Sequence, residues 1–130
     1  MEKIKMILTD TDVIIEFLKG TEKTKKSLEQ IGLKNIAISS VTIMELYYGA
    51  FDKKELQKIK KNLLSFTIFK IDEKTSDIAI ELIEKYSKSH NLEIPDSLIA
   101  SIAIRNDIEL FTYNIKDFKY IKELKLYGKK

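Results

Sequence analysis

Asp10, Glu45, Asp96 and Asp117 are the residues of this chain whose surroundings point to chemistry rather than to ordinary surface charge. Asp10 ends the apolar run Ile7-Leu8-Thr9 and is followed at once by Thr11 and Asp12. A helix opening there needs one capping carboxylate, yet two are present with a hydroxyl between them. The spacing gives the cap to Asp12, with a secondary place near any metal, and leaves Asp10 for a site. Glu45 lies in Val41-Thr42-Ile43-Met44-Glu45-Leu46-Tyr47-Tyr48, where Val41 and Tyr48 share its side of a helix. This predicts a carboxylate set into an apolar helix surface. Buried alone it would cost on the order of several kcal/mol, so it calls for a cation, hydrogen bonds or a proton. The plainer alternative is a salt bridge to a lysine.

Asp96 follows Pro95 at the head of Ser97-Leu98-Ile99-Ala100-Ser101-Ile102-Ala103. Acids in a first helical turn are ordinary, but the small, apolar run behind this one predicts a buried helix that aims Asp96 inward. Asp117, in Thr112-Tyr113-Asn114-Ile115-Lys116-Asp117-Phe118, carries two readings. It is either the third-position acid of a short helix capped by Asn114 or a fourth member of the cluster. Three or four carboxylates, with no cysteine and one histidine in the chain, specify a hard, oxygen-seeking cation such as Mg2+ or Mn2+. Without the ion such a cluster repels itself and its pKa values rise. With it, the site can polarise a phosphodiester and activate water.

Other chemistries are excluded by what is missing. The four glycines are isolated, so no glycine-rich phosphate loop or dinucleotide fingerprint exists. There is no Gly-x-Ser-x-Gly elbow, and zero cysteines remove disulfides, thiolate metal sites and thiol nucleophiles. The single histidine, His90, falls in the polar stretch Ser87-Lys88-Ser89-His90-Asn91 and reads as a helix-end surface residue.

The elements that must position the acids follow from periodicity. Ile4–Thr9, Asn35–Ile38, Thr67–Ile71, Glu109–Thr112 and Glu123–Tyr127 read as strands. Helices are predicted over Val13–Leu18, Thr21–Ile31, from an N-cap at Ser40 to Ala50, and over Lys53–Leu64. A long amphipathic helix opens at Asp72 or Thr75, and another runs from Pro95 to Arg105. Strands alternating with helices imply an α/β fold with a mainly parallel sheet of about five strands flanked by helices. In such sheets, sites form beyond the carboxyl ends of the strands.

At 130 residues, 44% of them hydrophobic, the chain reads as one domain over residues 1–130 with a packed core. No apolar run approaches the roughly 20 residues needed to span a bilayer. The charged start with its short apolar stretch does not read as a secretory signal, and the expected location is cytoplasmic. The net charge is only +3, and Arg105 is the one arginine among 23 basic residues. Lysines crowd into 19–26, 53–61 and 116–130. They form either a solvated surface or a diffuse field for a polyanion such as RNA, the second gaining force if the site handles phosphate.

Four segments, in order, resemble the PIN-domain family, and more closely the VapC-type toxins of bacterial and archaeal toxin–antitoxin pairs. They are Leu8-Thr9-Asp10-Thr11-Asp12, Ile38 through Gly49 around Glu45, Pro95-Asp96-Ser97-Leu98-Ile99-Ala100, and Thr112 through Phe118. The resemblance implies a single-stranded RNA endonuclease needing Mg2+ or Mn2+, dimeric, and silenced by a small antitoxin. It places the family's invariant acids on Asp10, Glu45 and Asp96. The fourth, variable position falls on Asn114 or Asp117, and the charge favours Asp117. Thr11 and Thr112 match family hydroxyl positions that orient water or phosphate.

Two other readings compete. Asp10-Thr11-Asp12-Val13 after an apolar strand also resembles the aspartyl-phosphate loop of haloacid-dehalogenase-like phosphatases, with Asp10 as nucleophile and Asp12 as general acid. That scheme leaves Glu45 without a task. A non-catalytic RNA- or partner-binding module on the same scaffold is the other.

Overall fold

The structure, a computed structural model, describes residues 5–128. Four parallel strands form its centre: β1 (Ile7–Thr9), β2 (Ile36–Ser39), β3 (Thr67–Phe69) and β4 (Glu109–Phe111), in the order β3-β2-β1-β4. Six α-helices surround them: α1 (Thr11–Leu18), α2 (Glu22–Ile31), α3 (Ser40–Tyr48), α4 (Lys53–Asn62), α5 (Glu73–His90) and α6 (Ile94–Arg105). Single 3-10 turns occupy Leu33–Asn35 and Ile115–Asp117. The α/β class and parallel sheet are those expected. Ile4, the start of the first predicted strand, lies outside the described residues.

The period-two alternation of the strands decides which helices go where. Ile7, Ile36, Ile38 and Phe111 face one side of the sheet and pack with Val13, Ile14, Leu28, Leu46, Leu63 and Phe66. Leu8, Ala37 and Leu110 face the other side and pack with Leu82 of α5, with Ile99, Ala100, Ile102 and Ala103 of α6, and with Phe118 and Ile121. Apolar residues on both faces are what a doubly covered parallel sheet requires. Full burial of a Leu or Ile side chain stabilises by about 1.5–3 kcal/mol, and Leu8, Ile36, Ile38 and Leu110 are all at 0% exposure.

The fifth strand is reduced to one bridge, Leu110 with Leu126. Leu110 N–H donates to Lys125 O at 2.9 Å and Tyr127 N–H to Leu110 O at 2.8 Å. Upstream, Ile121 and Leu124 close turns onto Phe118 and Ile121, so the backbone extends only from Lys125. Gly128, in the left-handed region at φ 77°, is the last described residue.

The caps differ from those expected at two helices. Asp10, not Asp12, caps α1, in extended backbone with its side chain accepting from Thr11 N–H. Ser39, not Ser40, caps α3, its hydroxyl accepting from Thr42 N–H at 3.0 Å. Asp72 caps α5, and Asn91 ends it at φ 59°, a left-handed conformation that asparagine tolerates. That turn sends the chain into α6, whose face of Ser97, Ala100, Ser101 and Ala103 is buried.

From β1 the sheet grows outward through β2 to β3, and β4 is then laid on the other side of β1. The boundary between β1 and β4 is thus the point where the strand order reverses, and in sheets of this kind it is there, beyond the carboxyl ends, that a ligand crevice forms.

Candidate active site

Asp10 and Thr112 leave the sheet side by side at that crevice. Asp10 N–H continues the ladder to Phe111 O at 2.9 Å. The Asp10 carboxylate is enclosed, with 5% exposure. Its Oδ1 accepts from Thr11 N–H at 2.8 Å and its Oδ2 from the Thr112 hydroxyl at 2.7 Å. Burial, then the neighbouring charge of Asp12, outweigh these hydrogen bonds and push its pKa up to about 7, with a smaller contribution from Asp96.

Asp12 serves the loop instead of the helix. Its Oδ2 accepts from Tyr113 N–H at 3.1 Å, while its Oδ1 is buried with no hydrogen-bond partner. Burial raises its pKa as well. The same loop is pinned from the far side, where the Tyr113 hydroxyl meets the buried Thr24 hydroxyl at 2.6 Å.

Glu45 is exposed, contrary to the expectation of a carboxylate set into an apolar surface. The reason lies in its neighbours: Val41 is buried, but Tyr48 is 95% exposed, so the apolar side of α3 ends at Glu45. The carboxylate is held by a chain of hydroxyls. Thr11 donates to Glu45 Oε1 at 2.6 Å, Thr11 and Thr42 Oγ1 are 2.9 Å apart, and Ser39 donates to Thr42 at 3.2 Å. Each hydroxyl has one proton to give, so the acceptor at the end fixes the direction, from Ser39 through Thr42 and Thr11 to Glu45. Thr42 and Ser39 are fully buried, and the sequence did not single out either as part of a site. Thr42 stands three residues before Glu45, one helical turn away, which is the signal that was available. No lysine pairs with Glu45 among the described residues.

Asp96 sits half-buried in the first turn of α6, whose buried face follows it as expected. Its pKa is pushed up to about 6 by burial first, then by Asp117, Glu93, Glu45 and Asp12. A helix N-terminus favours a negative charge, and here the surrounding acids overrule it. Asp117 is exposed at the end of its 3-10 turn and is the strongest charged neighbour of Asp96. Asn114 is also exposed, and its main chain shapes the loop: its N–H donates to Thr112 Oγ1 at 3.0 Å. Asp96 thus feels the charges of Asp117, Glu45 and Asp12, and Asp10 those of Asp12 and Asp96.

The donor set fits a hard divalent cation in chemistry and charge. All side chains are oxygen donors, one buried carboxylate oxygen is orphaned, and no lysine or arginine pairs with Asp10, Asp12, Asp96 or Asp117 among the described residues. It is not a closed cage, since no three acidic or histidine side chains converge at ligand distance among those residues. Mg2+ commonly binds through only one or two carboxylates and keeps several waters, so an open set of this kind suits it.

A groove of about 970 Å3 adjoins Glu45. Ile15, Leu18, Leu46 and Ile59 form its floor, and Lys19, Lys54, Lys58 and Lys61 stand along it. The phosphatase reading fares poorly against this arrangement. Asp12, the general acid of that scheme, is turned to the Tyr113 amide rather than held ready as an acid.

Comparison with known proteins agrees with the geometry. The PIN domain family model matches residues 7–124. Ribonuclease VapC10 of Mycobacterium tuberculosis is 32% identical over 122 residues, covering 92% of this chain and 91% of that protein. Ribonuclease VapC3 of Methanocaldococcus jannaschii is 37% identical over 94 residues, covering 72% and 93%. Among solved structures, VapBC2 from Rickettsia felis, bound to a DNA fragment from its promoter, superposes with a TM-score of 0.78 at 31% identity, covering 93% of this chain and 96% of that one. Fold, strand-end acids and sequence relatives agree: this chain belongs to the PIN-domain family.

Proposed function

We propose that the chain is the endoribonuclease toxin of a toxin–antitoxin pair, cleaving phosphodiester bonds of single-stranded RNA with Mg2+ or Mn2+ held, directly or through its waters, by Asp10, Glu45, Asp96 and Asp117. The observation that carries the reading is the burial of Asp10 and Asp96 among like charges, with no paired lysine or arginine among the described residues. Such a cluster is unfavourable unless a cation or protons neutralise it. A divalent ion supplies Lewis-acid polarisation of the phosphodiester and lowers the pKa of water.

The protein's own groups set the geometry. Thr112 and the Thr11 amide fix both oxygens of Asp10, and each oxygen keeps a lone pair with which it could ligate a cation. Thr11 holds Glu45 from the opposite wall. Burial, and then the charge of Asp117, keep the proton affinity of Asp96 high without a metal, and a bound cation would hold it as the carboxylate. Exposed lysines provide sequence-independent attraction for the phosphate backbone.

Relatives of this fold are found as VapBC complexes, and the groove beside Glu45 offers a seat for an antitoxin segment. An amphipathic stretch laid on Ile15, Leu18, Leu46 and Ile59 would end at Glu45 and close the crevice to RNA. The assembly we expect is a homodimer in the cytoplasm. No described helix is long and apolar enough to cross a membrane.

The test is cleavage of single-stranded RNA by the isolated protein with Mg2+, with Mn2+ and with EDTA, beside Asp10→Asn. Cleavage with either metal, abolished by EDTA and by a folded Asp10→Asn protein, is the expected outcome. Undiminished cleavage by that variant, or in EDTA, would overturn the assignment.

A further inference from the structure

The acids are accounted for by this reading, but a cluster of rings beside them is not. His90, at the C-terminal end of α5, stacks flat on Tyr120, with ring centroids 4.2 Å apart and planes 7° apart. Tyr86, one turn earlier on α5, packs edgewise against both, at 5.2 Å from Tyr120 and 5.8 Å from His90. The cluster is braced from below and from the side. The Tyr86 hydroxyl donates to Glu123 at 3.2 Å, Lys85 donates to the same carboxylate at 2.6 Å, and the Ser89 hydroxyl meets His90 Nδ1 at 2.7 Å.

These rings are held rigidly yet remain open. His90 is exposed and Tyr120 only half-buried. With Tyr120 covering one face of the imidazole, the other face is the flat surface left for a visitor. The chain segments that carry the rings also carry the acids. His90 and Asp96 flank the turn between α5 and α6, and Tyr120 follows Asp117 by three residues. Burial and then the charges of Asp96 and Asp117 raise the pKa of the Tyr120 hydroxyl, so the ring lies within the field of those two acids.

We propose that His90 and Tyr120 form a stacking platform for one unpaired nucleobase of the strand whose phosphodiester lies at the acids. The proposal rests on the ribonuclease reading above. Every base has a π-face, so such a platform adds affinity with little sequence preference, and it accepts only a base not engaged in a duplex. A base stacked on an aromatic side chain typically adds a factor of roughly 5 to 100 in affinity. His90, read from the sequence as a helix-end surface residue, thereby gains a task that uses its ring and not its proton.

Binding is measured in EDTA with a fluorescein-labelled, mixed-sequence single-stranded RNA, followed by anisotropy, and cleavage of the same RNA is measured separately with Mg2+ or Mn2+. His90→Ala is expected to weaken binding roughly 5- to 100-fold and to raise KM with kcat unchanged. His90→Phe keeps a ring and restores both. One abasic position in the RNA reproduces the loss with the wild-type protein and adds nothing to His90→Ala, as expected for two halves of one contact. Equal RNA affinity of wild type and His90→Ala overturns the platform, as does a loss that His90→Phe fails to restore or that simply adds to the abasic loss. Cleavage by the wild type with unchanged His90→Ala binding removes the platform and leaves the ribonuclease reading standing. Absence of cleavage with an intact wild-type binding pattern removes the ribonuclease reading instead.

Discussion

On the β1–β4 wall of the crevice Asp10 is enclosed and both of its oxygens are engaged, whereas on the β2–α3 wall Glu45 stands in solvent, tethered by one hydroxyl. The first wall is fixed by backbone: Asp10 is at once a ladder residue and a helix cap. The second wall reaches the centre only through Ser39, Thr42 and Thr11 in series. Rigidity and desolvation thus reside on one side and adaptability on the other. A site of this kind holds one ligand group firmly and lets another follow the substrate.

The largest expected effect lies on the rigid wall. Asp10→Asn should abolish cleavage and at the same time stabilise the metal-free protein, because it removes a buried charge among other acids. The sign follows from linkage. An unfolded Asp10 loses its proton near the ordinary carboxylate value of 3.8 and the folded one near 7, so between those values the folded state binds more protons. Stability of the metal-free wild type should therefore fall as pH rises through that window, by on the order of 4 kcal/mol at most. Thermal unfolding at pH 5 and pH 8 in EDTA checks this. Asp10→Asn should melt higher than wild type at pH 8, with the gap narrowing at pH 5. Equal melting temperatures at both would sink the buried-charge argument.

On the compliant wall the expected losses are smaller. Removing the Thr42 hydroxyl by Thr42→Val should lower kcat by roughly 10- to 100-fold, the usual range for groups that orient a ligating side chain. Thr42→Ser should recover most of it. If Thr42→Val instead cleaves at the wild-type rate, Glu45 does not need the hydroxyl chain and the two walls are not distinguished in this way. Smallest of all should be Lys125→Ala. It breaks an exposed pair with Asp107 at 2.7 Å, well away from the crevice, and melting temperature and cleavage should both stay at wild-type values.

The same two walls mark what could be read from the chain itself. The places of Asp10 and Asp96 in the fold were legible because each sits where an apolar run meets a helix start. The position of Glu45 was legible too, but its burial was not. Tyr48 is an apolar ring by type and nearly fully solvent-exposed in place, and periodicity cannot tell a core face from an open rim. The exchange of caps between Asp10 and Asp12 has a tertiary cause: the Tyr113 amide claims Asp12 from about a hundred residues away. The hydroxyl chain joins Thr11 to residues 31 and 34 positions later, a pairing that local spacing does not encode. The fifth strand read as alternation, yet two preceding turns leave it a single bridge.

Calorimetric titration of Mn2+ into the wild-type protein and into Asp96→Asn tests most directly whether these acids act together on one ion. Asp96 is half-buried and its proton affinity already answers to Asp117, Glu45 and Asp12, so it reports on the whole group. The account predicts saturable Mn2+ uptake by the wild type and at least a tenfold weaker uptake by the variant, roughly 1.4 kcal/mol or more. No uptake by the wild type, or equal affinity in both proteins, would contradict it.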